Sequence, residues 1–357
     1  MAFKHQLKMG LRGAYARVLF HTGLHALVNR IVDRRMTILF GHCIEDDAVN
    51  GFLPRDMTMR EETLRRVVGW FQQRGYVIAG IAAGYDALQD TGKGSIVALS
   101  LDDGYLDNRT RLLPILDELG ASATIFLESE PLDQRDVNWT HKYHWVIRDG
   151  GVEAWTRGYM ARTEDAATAQ KLQAALEGPA EELAYQVKRV LKYEAIPADR
   201  DSVCQALFEE AGGDVGDLCR KLYMTWEDAR ALRDGGVELG GHTVSHPILS
   251  RLDAAGAAAE IGGGREVLAR ELGSEVPRVF AYPFGRAWDY DKVSIQAARD
   301  AGFDLAVNTH AGTNGPQSDR FQLKRLPVDD ATPLHLLVAE ACGGFELLRK
   351  FGLDLSE

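Results

Sequence analysis

Three short stretches of this 357-residue chain combine residue types that can do hydrolytic chemistry. Asp102-Asp103-Gly104 sets two carboxylates side by side at the end of the apolar run IVALSL. His242-Thr243-Val244-Ser245-His246-Pro247 follows VELGG and spaces two imidazoles four residues apart. Pro283-Phe284-Gly285 follows RVFAY, and His42 lies just past TILF. Two imidazoles and a carboxylate are the smallest protein ligand set of an open catalytic zinc site, with ligands about 2.0–2.2 Å from the ion and one position left for water. His242 and His246 share a face if their segment turns helically, and Asp103 would be the third ligand. Asp102, beside the metal, would accept a proton from that water. Each stretch alone has an ordinary explanation. Asp-Asp-Gly is a common turn, histidine pairs occur on helix surfaces, and Pro-Phe-Gly by itself says nothing. Their shared position, each just past a candidate strand, is the informative feature.

The elements that must position them alternate. Short strands are expected at Thr37–Phe40, Val77–Ile81, Ile96–Leu101, Ala123–Leu127, Val237–Gly240, Arg278–Tyr282 and Asp304–Val307. Helices are expected at Arg60–Arg74, Thr110–Leu119, Trp226–Asp234, Ala254–Leu272 and Asp291–Ala301. This pattern predicts an α/β fold, a distorted and incomplete (β/α) barrel of about seven parallel strands. In such barrels the strand C-termini face the active site. Residues 128–225 lack strand signals and read as a helical insertion or lid within a domain spanning 36–346, and residues 347–357 read as a tail.

Composition narrows the partners. The net charge of −11 argues against nucleic acid. Residues 1–35 nevertheless hold seven Lys/Arg against Asp33, a local +6 that leaves −17 for the rest. With Leu7, Leu11, Tyr15, Val18 and Leu19 at helical spacing, this segment reads as a basic amphipathic helix. It either packs on the domain or touches an anionic membrane surface. The four cysteines show no C-x-x-C spacing, no apolar run is long enough to span a bilayer, and no secretory h-region is evident. The expectation is a cytoplasmic protein, peripheral at most to the inner membrane face.

The motifs resemble those of the polysaccharide deacetylase family, metal-dependent carbohydrate esterases with a NodB-homology domain. SLDDGYLDN is similar to the family's TFDDG, GGHTVSHPILSRL to H-[ST]-x-x-H-P, and FAYPFG to R-x-P-Y-G. The resemblance implies Asp102 as catalytic base and Asp103, His242 and His246 as ligands of a divalent metal, Zn²⁺ being the expected ion. The backbone N–H of Phe284 would hold the oxyanion, in a pocket with Tyr282 and Pro283. Leu39-Phe40-Gly41-His42 fits the family's L-x-x-H, moved to the first strand as in the deacetylases of biofilm poly-N-acetylglucosamine, so His42 becomes the expected general acid. Two departures stand out. Ala281 occupies the third motif's arginine position, for which Arg325 is a candidate substitute, and the fourth motif, D-x-x-x-W, has no counterpart. Trp139, Tyr143, Trp145 and Trp288 are candidate sugar-stacking walls. The implied activity is N-deacetylation of an amino sugar in an oligo- or polysaccharide, such as a lipid-linked biosynthetic intermediate. The alternatives are O-deacetylation, hydrolysis of a non-sugar amide, and a silent glycan-binding component of an assembly complex.

Overall fold

The apolar runs become strands in a computed structural model that describes residues 2–90, 95–273, 277–353 and 355, with side chains from residue 8 onward. In chain order the strands are β1 (Arg35–Gly41), β2 (Cys43–Ile44), β3 (Thr58–Met59), β4 (Val77–Ala79) and β5 (Ser95–Leu101). They continue as β6 (Thr124–Leu127), β7 (Glu238–Gly241), β8 (Val279–Ala281), β9 (Leu305–Val307) and β10 (Arg325–Pro327). Apart from the small β2–β3 pair they form one parallel sheet in the order β10-β1-β5-β6-β7-β8-β9, with β4 also on β5. A parallel bridge from Val307 to Leu323, just before β10, brings the two edges together. The result is a nearly closed barrel of seven strands. It is distorted where β5 forks, since its first half pairs with β4 and its end with β6.

Strand alternation assigns two faces. Met36, Ile38, Ile96, Ala98, Phe126, Val279, Ala281, Leu305 and Val307 fill the lumen. Leu39, Val97, Leu99, Leu101, Ile125 and Leu127 pack outward against helices. Burial on both faces explains why β1 and β5 read as continuous apolar runs rather than alternating ones. The lumen-facing parity of Ile96 and Ala98 runs on through Ser100 to Asp102, which places that carboxylate at the top of the barrel. Strand β10 had no signal in the sequence because Arg325-Leu326-Pro327 is short, charged and ends in proline.

Between β6 and β7 the insertion is helical: Ser129–Leu132, Trp139–Gly150, Val152–Met160, Ala166–Leu176, Leu183–Tyr193, Pro197–Glu210 and Val215–Leu222 precede the expected helix Trp226–Asp234. Much of it has its own core, including Trp139, Tyr143, Trp155, Tyr159, Leu172 and Val190.

At the chain ends, helices Ala2–Thr22 and Leu24–Ile31 pack on Leu334–Ala341 and Gly344–Lys350 through Ala16, Leu19, Val28 and Phe345. Arg12 pairs with Glu340 at 3.1 Å in this interface, and Tyr15 donates to Gly344 O. Residues 347–350 therefore continue a packed helix. The side chains of Lys4 and Leu7 lie outside the described residues.

Candidate active site

The C-terminal ends of β1, β5, β7 and β8 surround one cavity of about 580 Å³, lined by His42, Asp102, Asp103, His242, His246 and Phe284 among others. Backbone strain concentrates here. Among the described residues, five that are not glycine have positive φ, and Asp103, Thr243, His246 and Phe284 are four of them. At Asp103 the turn is completed by Gly104 at φ 74°, where a Cβ would stand 2.9 Å from Leu127. The histidine pair is not helical, contrary to the expectation from its spacing. Thr243 and His246 are left-handed, and the His246 N–H donates to Thr243 Oγ1 at 3.0 Å. Glu260 accepts from the Val244 and Ser245 N–H groups at 3.1 and 3.0 Å, clamping the turn from below.

This tight turn still brings the imidazoles together. His242 Nε2 lies 3.3 Å and His246 Nε2 3.7 Å from Asp103 Oδ1, which is buried and has no hydrogen-bond partner. His242 Nδ1 donates to Ala281 O at 2.8 Å, which leaves the Nε2 lone pair facing the carboxylate. An orphaned carboxylate oxygen beside two imidazole nitrogens fits a divalent cation. The other Asp103 oxygen accepts from the Tyr105 hydroxyl at 2.8 Å. Since that hydroxyl has a single proton, Tyr105 accepts in turn from His141 Nε2 at 2.6 Å. Burial drives the His141 pKa down to about 4, so this imidazole is neutral.

Asp102 is held differently. Arg325 Nη1 and Nη2 donate to its two oxygens at 2.7 and 2.8 Å, and the arginine is itself fully buried. Burial pushes the Asp102 carboxyl up, but the guanidinium outweighs it and keeps the group below its ordinary value. Arg325, the candidate for the arginine position that Ala281 occupies, thus contacts this carboxylate from β10. Arg325 Nε donates to Asn308 O, which fixes the fork's orientation.

Other expected pocket residues lie elsewhere. The Tyr282 hydroxyl donates to Phe321 O, and its ring stacks on Tyr290 at 4.2 Å, away from the cavity. Pro283 is buried within the turn. Trp139 lies under Arg200 in the insertion core, and Trp145 packs edge-on to Phe208. Their helix presents Thr140 and His141 to the cavity instead, beside its N-cap Asn138. Tyr143 is also core. Trp288 is exposed and edge-on to Tyr193, which does line the cavity. Unforeseen from sequence were Tyr105 and His141, although the first follows Asp-Asp-Gly directly and the second lies in WTHKYHW. The basic wall of Lys188, Arg189, Lys192 and Arg286 was equally unforeseen, and no spacing signal pointed to it.

Residues 205–306 match the family model described as polysaccharide deacetylase. Over this stretch the chain is similar to polysaccharide deacetylases. The family match includes His242, His246 and Phe284, whereas His42, Asp102, Asp103 and Arg325 of the same cavity come from outside it. Solved structures share the fold. Streptococcus pyogenes deacetylase PplD in complex with acetate is 15% identical, with a TM-score of 0.56 over 87% of this chain and 99% of that one. A de-N-acetylase from Aggregatibacter actinomycetemcomitans is 18% identical, TM-score 0.53, over 85% and 98%. IcaB from Ammonifex degensii is 15% identical, TM-score 0.53, over 87% and 100%. Comparison with curated protein sequences gives no match.

Proposed function

We propose that this chain removes the N-acetyl group of an amino sugar within an oligo- or polysaccharide, with a divalent metal, Zn²⁺, as cofactor. The observation that carries the reading is the partnerless Asp103 Oδ1 between two imidazole nitrogens, next to a carboxylate clamped by Arg325. Asp103, His242 and His246 would hold the metal, which when bound polarises the acetyl carbonyl and acidifies water. Asp102 takes the proton of the attacking water, and Arg325 keeps it ionised and aimed. The Phe284 N–H has no acceptor among the described residues and is free to donate to the developing oxyanion. His42, whose ring lines the cavity, protonates the departing amine. Acetate release from N-acetylated chitooligosaccharides, abolished by a chelator and restored by Zn²⁺, is the expected result. Metal-independent release, or release from O-acetylated sugars only, overturns the reading.

The same reading extends to location. Among the described residues no helix is long and apolar enough to cross a membrane. The outer sides of the two N-terminal helices expose Leu11, Val18, Leu24, Leu27 and Ile31, interspersed with exposed Arg17 and Arg30. Apolar side chains among cations suit an anionic leaflet, where a lipid-linked substrate would be presented. Surface substitution tests this better than truncation, because Arg12, Ala16 and Leu19 of the same helix are packed into the domain. Leu24→Ser with Leu27→Ser and Ile31→Ser is expected to abolish salt-sensitive binding to anionic liposomes. Wild-type protein that ignores such liposomes at low salt refutes membrane contact and leaves the deacetylase reading in place.

A further inference from the structure

The wall facing the metal ligands is cationic, and its charges are not equally satisfied. Helix Leu183–Tyr193 directs Lys188 and Lys192, one turn apart, into the cavity, and Arg286 enters from the loop after β8. Lys192 is provided for. Its ammonium lies 3.4 Å from buried Asp289 and 3.6 Å over the Phe284 ring. Arg189 pairs with Glu194 at 2.6 Å. Lys188 has no such carboxylate. Its hydrogen-bond neighbour is His144 Nε2 at 3.3 Å, an imidazole kept neutral by burial, its pKa driven down to about 3. Among the described residues, neither Lys188 nor Arg286 has a carboxylate within 4.0 Å, and the two repel one another. Besides Asp102 and Asp103, the acids lining the cavity are Asp56 and Asp329. Asp329 is engaged by Thr332 and the Ala331 N–H, and Asp56 attracts Lys188 only from beyond ion-pair distance.

Lys188 is half-buried and Arg286 is exposed at the cavity mouth, and two cations facing one space without a carboxylate at ion-pair distance form a ready acceptor site for an anion. A neutral acetamido sugar has no group that would fill it. We propose that the substrate carries an oxyanion, a phosphate ester or a sugar carboxylate, which sits between Lys188 and Arg286 while the acetamido group lies at Asp102 and Asp103. This rests on the deacetylase reading for the reacting group, and on the unpaired cations for the charge. The oxyanion accepts charge-assisted hydrogen bonds from the Lys188 ammonium and the Arg286 guanidinium. Selectivity for charged over neutral sugars then comes from the insertion and the β8 loop, not from the metal site.

Two measurements test the proposal on the full-length chain. In the first, the Zn²⁺-loaded enzyme is given an N-acetylated disaccharide in neutral, phosphorylated and carboxylated forms. At least one charged form is expected to exceed the neutral one by on the order of tenfold in kcat/KM, and whichever form it is identifies the oxyanion. In Lys188→Gln with Arg286→Gln, that ratio is expected to fall to about one. In the second, binding of inorganic phosphate and of glucuronate to metal-free protein is followed by calorimetry, where the metal cannot be the anion's partner. Binding that weakens with salt and disappears in the double variant is expected. Equal kcat/KM for all three sugars, a preference that survives in the double variant, or no anion binding by the metal-free wild type each overturns the proposal. If anion binding follows the two cations but no sugar releases acetate, the deacetylase reading fails while the oxyanion site stands.

Discussion

Two cavities of about 580 Å³ each open at opposite ends of the barrel. The one where β6, β7 and β8 begin is lined by Gly80, Ser122, Arg233, Glu238 and Arg278. Its half-buried acid, Glu238, is satisfied by the Thr124 hydroxyl and the Ala82 N–H. The one at the strand C-termini holds an orphaned carboxylate oxygen, strained left-handed backbone and unpaired lysine and arginine side chains. Size does not distinguish them. Polar groups left wanting a partner, and backbone held where only surrounding structure can hold it, set apart the end to which the proposed reaction is assigned.

Mutations at the two ends should therefore differ in kind. The largest effect is expected for His242→Ala or His246→Ala, with stoichiometric Zn²⁺ and essentially all acetate release lost, read by metal analysis and activity. A double variant that keeps full metal content breaks the comparison at its root. Next, Asp102→Asn should keep the metal yet lose about 10²–10⁴-fold in kcat, since an amide cannot take a proton. Asp103→Asn should instead weaken metal affinity. Arg325→Met leaves Asp102 buried without its partner, so urea unfolding should report a loss of about 3–5 kcal/mol. Without the guanidinium the Asp102 carboxyl rises, and the acidic limb of the pH–rate profile should move to higher pH.

The insertion offers a smaller, pH-dependent effect. His144 is neutral in the folded chain because burial, and then Lys188 and His141, lower its pKa to about 3 from an ordinary 6.5. The unfolded chain therefore gains a proton that the folded chain refuses as pH falls below about 6.5, and stability is lost progressively toward pH 3. The urea midpoint should drop between pH 7.5 and pH 5, and His144→Gln should flatten that drop. Smallest of all, Glu238→Gln at the opposite end should cost about 1 kcal/mol and leave acetate release unchanged. An activity loss there would mean that the lower cavity also serves the reaction.

The residues that were legible from spacing are those whose roles are set within one element and its following turn. Apolar runs long enough to be buried on both faces announced β1 and β5. Acidic and histidine motifs just past the strands announced Asp102, Asp103, His242 and His246, because parallel strands deliver their ends to one rim whatever lies between them. The spacing misled at His242 and His246, where two left-handed residues do what one helical turn was expected to do.

Tertiary structure alone decided the rest. Asp102 and Arg325 are 223 positions apart and meet because β10 closes on β1, a pairing that no local periodicity records. His141 reaches Asp103 through Tyr105 because the insertion folds back over the rim, and the same fold turns Trp139 and Trp145 inward while turning Lys188 toward the cavity of Asp103, His242 and His246. A sequence shows which side chains can carry charge or bind metal. Which of them face one another, and which are left without a counter-charge, depends on packing between distant segments, where burial and pairing set the energy of each charge.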